Sequence, residues 1–166
     1  MKSQPLLYSL GLLALVFMTG CNAADDDCVM KNEGMESMHL EGITLFDDNG
    51  ETRHIQSLIA DDQFERAMGF QHVCPDAVKQ TRILFVYTEP VYGSFHMSNV
   101  KVPLDIGFFD DQGLLINVLR MDTYTDDERS LYSTSRPYQF ALEASAGFFE
   151  ESLLSPGISR LVINSL

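Results

Sequence analysis

Phe95-His96-Met97-Ser98-Asn99-Val100-Lys101-Val102-Pro103-Leu104-Asp105-Ile106-Gly107-Phe108-Phe109-Asp110-Asp111-Gln112-Gly113 joins a polar, Met-bearing segment, a proline, an apolar strand with one carboxylate, and a turn. Pro103 stands at the strand's start, where a missing ladder donor costs least. From there Leu104, Ile106 and Phe108 share one face, and Asp105, Gly107 and Phe109 the other. Both faces are mostly apolar, which predicts a central strand and a part-buried Asp105. Asp110 to Gly113 turns the chain, and Leu114 to Met121 returns as a continuous buried strand.

The same logic extends in both directions. Upstream, apolar residues alternate loosely from Met38 to Phe46, and Asp47-Asp48-Asn49-Gly50 makes a hairpin turn because Asn and Gly tolerate positive φ. Glu51 to Ile59 is the returning strand. Asp62-Gln63-Phe64-Glu65 has the form of a capping box and predicts a short helix through Phe70. Arg82 to Tyr87 and Tyr92 to Met97 are expected to be strands. Downstream, Asp122 to Arg136 is a long polar loop, Pro137 to Ala144 alternates as a strand, Ala146 to Leu153 forms a short helix, and Ser159 to Ile163 closes the series after a Ser155-Pro156-Gly157 turn. Short, closely spaced strands with two short helices predict a single all-β domain over 38–166, a compact β-sandwich or partly closed barrel.

The chain ahead of that domain has a different character. Lys2 followed by the apolar run Leu6 to Met18 reads as a secretory signal peptide over residues 1–20. Met18-Thr19-Gly20-Cys21 resembles the bacterial lipobox, so Cys21 is the expected lipidation site; cleavage after Ala23 or Ala24 is the alternative. Residues 21–37 are polar and without period, and are expected to tether the anchor to the domain. The acidic run Asp25-Asp26-Asp27 is a solvated stretch or, less simply, a calcium ligand. Asn22 is not the Asp that holds lipoproteins at the inner membrane, so in a cell with two membranes the outer one, facing the periplasm, is expected.

Composition narrows the partners. The net charge of −13 leaves no basic stripe to displace counterions from phosphates, which argues against a nucleic-acid partner. With Cys21 taken by lipid, Cys28 and Cys74 remain. An oxidising compartment permits a disulfide between them, two separate thiols being the alternative. Neither has a CxxC neighbour, so a zinc site is not expected.

From Ile55 to Val162 the chain resembles the bacterial and archaeal family catalogued as domain of unknown function 192. The resemblance rests on Arg66-Ala67-Met68-Gly69-Phe70 in a short helix, Ile83-Leu84-Phe85-Val86-Tyr87 in a strand, and the run Phe95-His96-Met97-Ser98-Asn99, Pro103-Leu104-Asp105-Ile106 and Phe109-Asp110 to Gly113. Leu142-Glu143, Ala146-Gly147 and Pro156-Gly157 follow in order. His96 and Ser98 stand where relatives carry Trp and Lys, and a cysteine pair that many relatives place after Met121 is absent. The resemblance implies a compact jelly-roll-like β fold and no established reaction.

Five residues are candidates for ligand contact. Asp105 needs donors, for which Arg66, Asn99 or amides of the Val100 to Pro103 bend are expected; it is either a structural carboxylate or a ligand contact, with Gly107 leaving room for close approach. Asn99 is a turn former or a ligand donor. Arg66 is a structural partner of Asp105 or Glu143, or an anion binder. Glu143 offers a second carboxylate, and with Asp105 a glycosidase-like pair is imaginable. His96 fills an aromatic slot or, with Met97 and His54, His72, Met68 or Met121, binds copper. Tyr124, Tyr132 and Tyr138 are placed to stack on a sugar or peptide. No Gly-x-Ser-x-Gly elbow, phosphate-cradling loop or helical His pair is present, and no cofactor or catalytic residue is assigned. The expected function is a membrane-anchored binding or accessory module for an envelope glycan, peptide or protein; envelope carbohydrate hydrolysis and metal carriage are the alternatives.

Overall fold

A computed structural model of the chain describes residues 28–124 and 129–164. The expected signal peptide over residues 1–20, Cys21 and the acidic triplet lie outside these residues. Seven strands form one sheet: β1 (His39–Phe46), β2 (Thr52–Ala60), β3 (Ile83–Val91), β4 (Leu104–Phe109), β5 (Leu115–Met121), β6 (Tyr138–Ser145) and β7 (Arg160–Ile163). Their spatial order is β5-β4-β6-β3-β2-β1-β7. All neighbours are antiparallel except β2 and β3, which run parallel through Leu58 to Ala60 and Ile83 to Phe85. A parallel pair cannot be joined by a tight turn. Its crossover contains α2 (Gln63–Met68) and α3 (Pro75–Gln80), and these lie on one face of the sheet.

The all-β expectation with short helices therefore holds. Four short helices are present among the described residues, where two were expected: α1 (Glu33–Ser37) and α4 (Phe148–Glu151) complete the set. The sheet is not closed, yet its edges meet at one end, where Leu161 N–H donates to the Gly113 carbonyl at 2.8 Å and Leu115 N–H to that of Ser159 at 2.9 Å. One apolar cluster draws on all seven strands, with Ile43, Ile59, Leu84, Phe109, Leu115, Leu142 and Leu161 among its members. A second, containing Met35, Phe70, Val78, Phe85, Met97, Ile106 and Phe108, fills the opposite face beneath α1, α3 and the 95–102 segment.

Local chemistry explains most of the boundaries. The Asp62 capping box forms as expected, with Glu65 N–H donating to Asp62 at 2.8 Å, and Gly69 ends the helix at φ 44°. Pro75 opens α3 at its first turn, where no amide donor is needed. The predicted strand over Tyr92 to Met97 is instead a loop: β3 continues to Val91, and only Phe95 pairs, with Tyr132 of the long loop. The expected tether also ends sooner than residue 37. From Cys28 the chain is bound to the domain, by the Cys28–Cys74 disulfide, by Val29 N–H donating to His72 at 2.8 Å, and by buried Asn32 capping α1.

Candidate functional site

A pocket of about 260 Å³ opens between α2 and the sheet. Its floor is Phe85 of β3 and Glu143 of β6; Tyr87, Phe95 and Val100 wall it; and Gln63, Arg66, Gln71 and His96 surround them. Three features hold the wall in place. Asn32 Nδ2 donates to the carbonyls of Gly69 at 3.0 Å and Gln71 at 2.8 Å, fixing the chain as it leaves α2. His72 N–H donates to the Asn99 carbonyl at 2.8 Å, and Asn99 Nδ2 to Gln71 Oε1 at 3.0 Å, tying that segment to the 95–100 loop. Tyr124 OH accepts from Met97 N–H at 3.2 Å and lies 3.1 Å from Ser98 Oγ, clasping the loop from outside.

Glu143 is the anomalous group. It is 5 % exposed, and the residues beside it on the neighbouring strands are Ile83 and Ile106. Among the described residues no hydrogen bond or ion pair reaches its carboxyl group. Burial raises its pKa to about 8, so it is mostly protonated at neutral pH. Gly69 lies beside it, with φ 44° favouring glycine there; a Cβ would be in ordinary contact with Glu143 Oε2 at 3.7 Å and Phe85 Cζ at 3.6 Å. Arg66 donates through Nη1 to the Val86 carbonyl at 3.0 Å and lies over the Tyr87 ring, 4.9 Å from its centroid. Burial pushes the Tyr87 hydroxyl up, and for His96 burial, then the charge of Arg129, pushes the pKa down. Both are therefore neutral near pH 7.

Of the five candidates, Arg66, His96 and Glu143 line this pocket, and Asn99 braces it through Gln71. Asn99 has the left-handed backbone of a turn former, φ 59°. Asp105 is elsewhere. It is 5 % exposed on the opposite face of the sheet, accepting from Arg120 Nε through one oxygen and from Gly147 N–H at 2.7 Å through the other. Its donors are thus neither Arg66, nor Asn99, nor the 100–103 bend, because the cross-strand partner in β5 is Arg120. The space beside Gly107 is filled by Phe149. A carboxylate pair for glycoside hydrolysis is excluded by geometry, since Asp105 and Glu143 face no common cleft.

The copper arrangement fails on Met97, which is 1 % exposed in the core while His96 faces the pocket. His54 is held by Thr44 at 2.9 Å and Met121 is buried. Among the described residues no group of three or more His, Cys, Asp or Glu is arranged to hold a metal ion. The tyrosines divide differently from expectation. Tyr138 is core, at 1 % exposure; Tyr124 and Tyr132 brace the 95–98 loop; and Tyr87, not singled out in the sequence, is the one in the pocket.

Comparisons with known proteins place the fold but not a reaction. A protein from Sinorhizobium meliloti 1021, described as a candidate transcription regulator, superposes with a TM-score of 0.70 at 23% identity over 78% of this chain and 98% of its own. A protein of unknown function from Novosphingobium aromaticivorans DSM 12444 gives 0.65 at 19% identity over 80% and 97%. No curated protein matches the chain. Residues 44–161, from β1 to β7 and including every pocket-lining residue named above, match the profile of the domain of unknown function 192, described as an uncharacterized ACR, and the chain belongs to that family.

Proposed function

We propose that this chain is a lipid-anchored, extracytoplasmic binding module whose pocket takes a small polar group presented by an envelope glycan, peptide or protein. One observation carries the binding role: Glu143 is buried, faces a cavity and has no partner among the described residues. An unpaired polar group in an apolar site costs free energy, and a ligand that pairs with it recovers that cost. The bracing of the walls by Asn32, Asn99 and Tyr124 supports a pocket preformed for its guest.

The anchor is supported by the Met18 to Cys21 motif, and an oxidising compartment by the Cys28–Cys74 disulfide. The net charge of −13 argues against a nucleic-acid partner, whatever the description of the S. meliloti neighbour. Two measurements test the proposal. Labelled palmitate should be incorporated into the wild-type protein and not into Cys21→Ser; equal labelling, or none, removes the anchor. Envelope glycan fragments and peptides should shift the amide resonances of Gly69, Tyr87 and His96; shifts confined to other surfaces remove the binding site.

A further inference from the structure

The pocket's lining allows its guest to be described more closely, on the premise that it is a binding site. We propose that it is an ammonium site: a protonated primary amine lodges against Glu143 and the rings of Phe85, Tyr87 and Phe95, while an oxygen of the same molecule meets Arg66 at the rim.

The argument starts from what the floor lacks. A neutral carboxylic acid between Ile83 and Ile106 has both a donor and an acceptor to satisfy, and among the described residues no hydrogen bond reaches it. A hydroxyl would serve one or both, leaving the aromatic walls with no specific role. An ammonium group uses the whole set, because its charge is attracted to ring faces and its three N–H donors are matched by a carboxylate. Gly69, Phe85 and Glu143 line the same pocket, so the carboxyl group opens onto the space that the aromatic residues wall.

The remaining groups around the pocket fit that assignment. Arg66 is its fixed cation, and the hydrogen bond to Val86 together with the Tyr87 ring holds it in place. Tyr87 and His96 are shifted toward their neutral forms, and Gln63, Gln71 and Ser94 carry no charge. Among the described residues that line the pocket, the one group able to offset an incoming ammonium is therefore Glu143. A guest carrying an oxygen near its amine also satisfies Arg66, which an amine alone leaves unmatched.

The proton balance follows. Glu143 enters the reaction as the carboxylic acid; on binding, its proton passes to solvent and the carboxylate pairs with the ammonium. One proton is released for each amine bound at pH 7. Affinity should accordingly fall about tenfold for each pH unit below the Glu143 pKa of about 8.

The test uses ethanolamine and its neutral isostere ethylene glycol as probes, with the resonances of Gly69, Tyr87 and His96 as readout. Ethanolamine should shift them saturably, more strongly at pH 8 than at pH 6, with ethylene glycol at least tenfold weaker. Glu143→Gln, which keeps the shape of the side chain, should abolish the ethanolamine response while leaving the core resonances in place. Equal shifts with both probes would overturn the ammonium assignment and leave the binding module standing. Unchanged ethanolamine binding by Glu143→Gln would also overturn it. Failure of both probes to move any pocket resonance would overturn the assignment and the binding site together.

Discussion

Asp105 and Glu143 sit one register step apart on the adjacent strands β4 and β6 and face opposite sides of the sheet: Asp105 pairs with Ala144, and Glu143 with Ile106. The two carboxyl groups have equal exposure and opposite circumstances. One accepts hydrogen bonds from a guanidinium and a backbone amide; the other faces an open pocket without a partner among the described residues.

Glu143 should make the stability of the fold depend on pH. The folded state holds the Glu143 proton up to about 8, against an ordinary value of 4.5. Its contribution to stability is full below about 4.5 and is lost as pH rises to about 8, where it levels off, since over that window the native state binds a proton that the unfolded chain has released. The loss amounts to several kcal/mol. Urea unfolding of the wild type between pH 4.5 and 8 should show the decline, and Glu143→Gln should remove most of it.

Removing the Asp105 carboxylate should destabilise without touching the pocket. Asp105→Ala strands the Gly147 amide and the Arg120 guanidinium, for a loss of about 2 kcal/mol, moderated because Arg120 is half exposed. Calorimetry should register the lower melting temperature, while the resonances of Gly69 and Tyr87 keep their positions.

Gly107 should tolerate no side chain. A Cβ there would lie 2.4 Å from Phe149 Cε1 and 3.2 Å from Leu115 Cδ1, both in the buried cluster. Gly107→Ala should cost about 1–3 kcal/mol by displacing Phe149, as overpacked cores do. A shift of the unfolding midpoint in urea measures it.

The Cys28–Cys74 bridge spans 46 residues, and loop-closure entropy alone assigns it about 4 kcal/mol. Replacing both cysteines with serine should lower stability by up to that amount. It should also raise hydrogen exchange at Val29 and Gly69, because the segment that carries Asn32 to the pocket wall loses its covalent tie.

The sequence announced those elements whose signals are local. The Asn49-Gly50 turn, the Asp62 capping box and the alternation of Leu104 to Phe109 all became the structures they predict. Helix α3 was hidden because six residues carry no readable period, although Pro75 marks its start. Helix α1 was hidden in a segment polar enough to pass for linker, its meaning lying in Asn32 contacts 37 and 39 residues away. Glu143 was legible as a candidate but not as a buried one. Alternation in β6 suggests one wet face, whereas β6 lies between β4 and β3 with helices and loops over the other side. The pocket itself is assembled from segments around residues 66, 85, 95 and 143, and no local pattern encodes their meeting.

The strand order has a consequence for how the molecule comes into being. β3 and β4 are consecutive in the chain, yet β6 lies between them in the sheet. A polypeptide growing from its N-terminus therefore carries two unmatched half-sheets until Tyr138–Ser145 arrives to join them, and β1 waits longer still for β7. Until then each half presents bare backbone edges of the kind that pair with other chains. A ribosome-stalled or truncated product ending in the 122–136 loop should be no smaller version of the domain, but an unfolded and association-prone polypeptide. Native structure would arrive in one late step, after nearly the whole chain has been made.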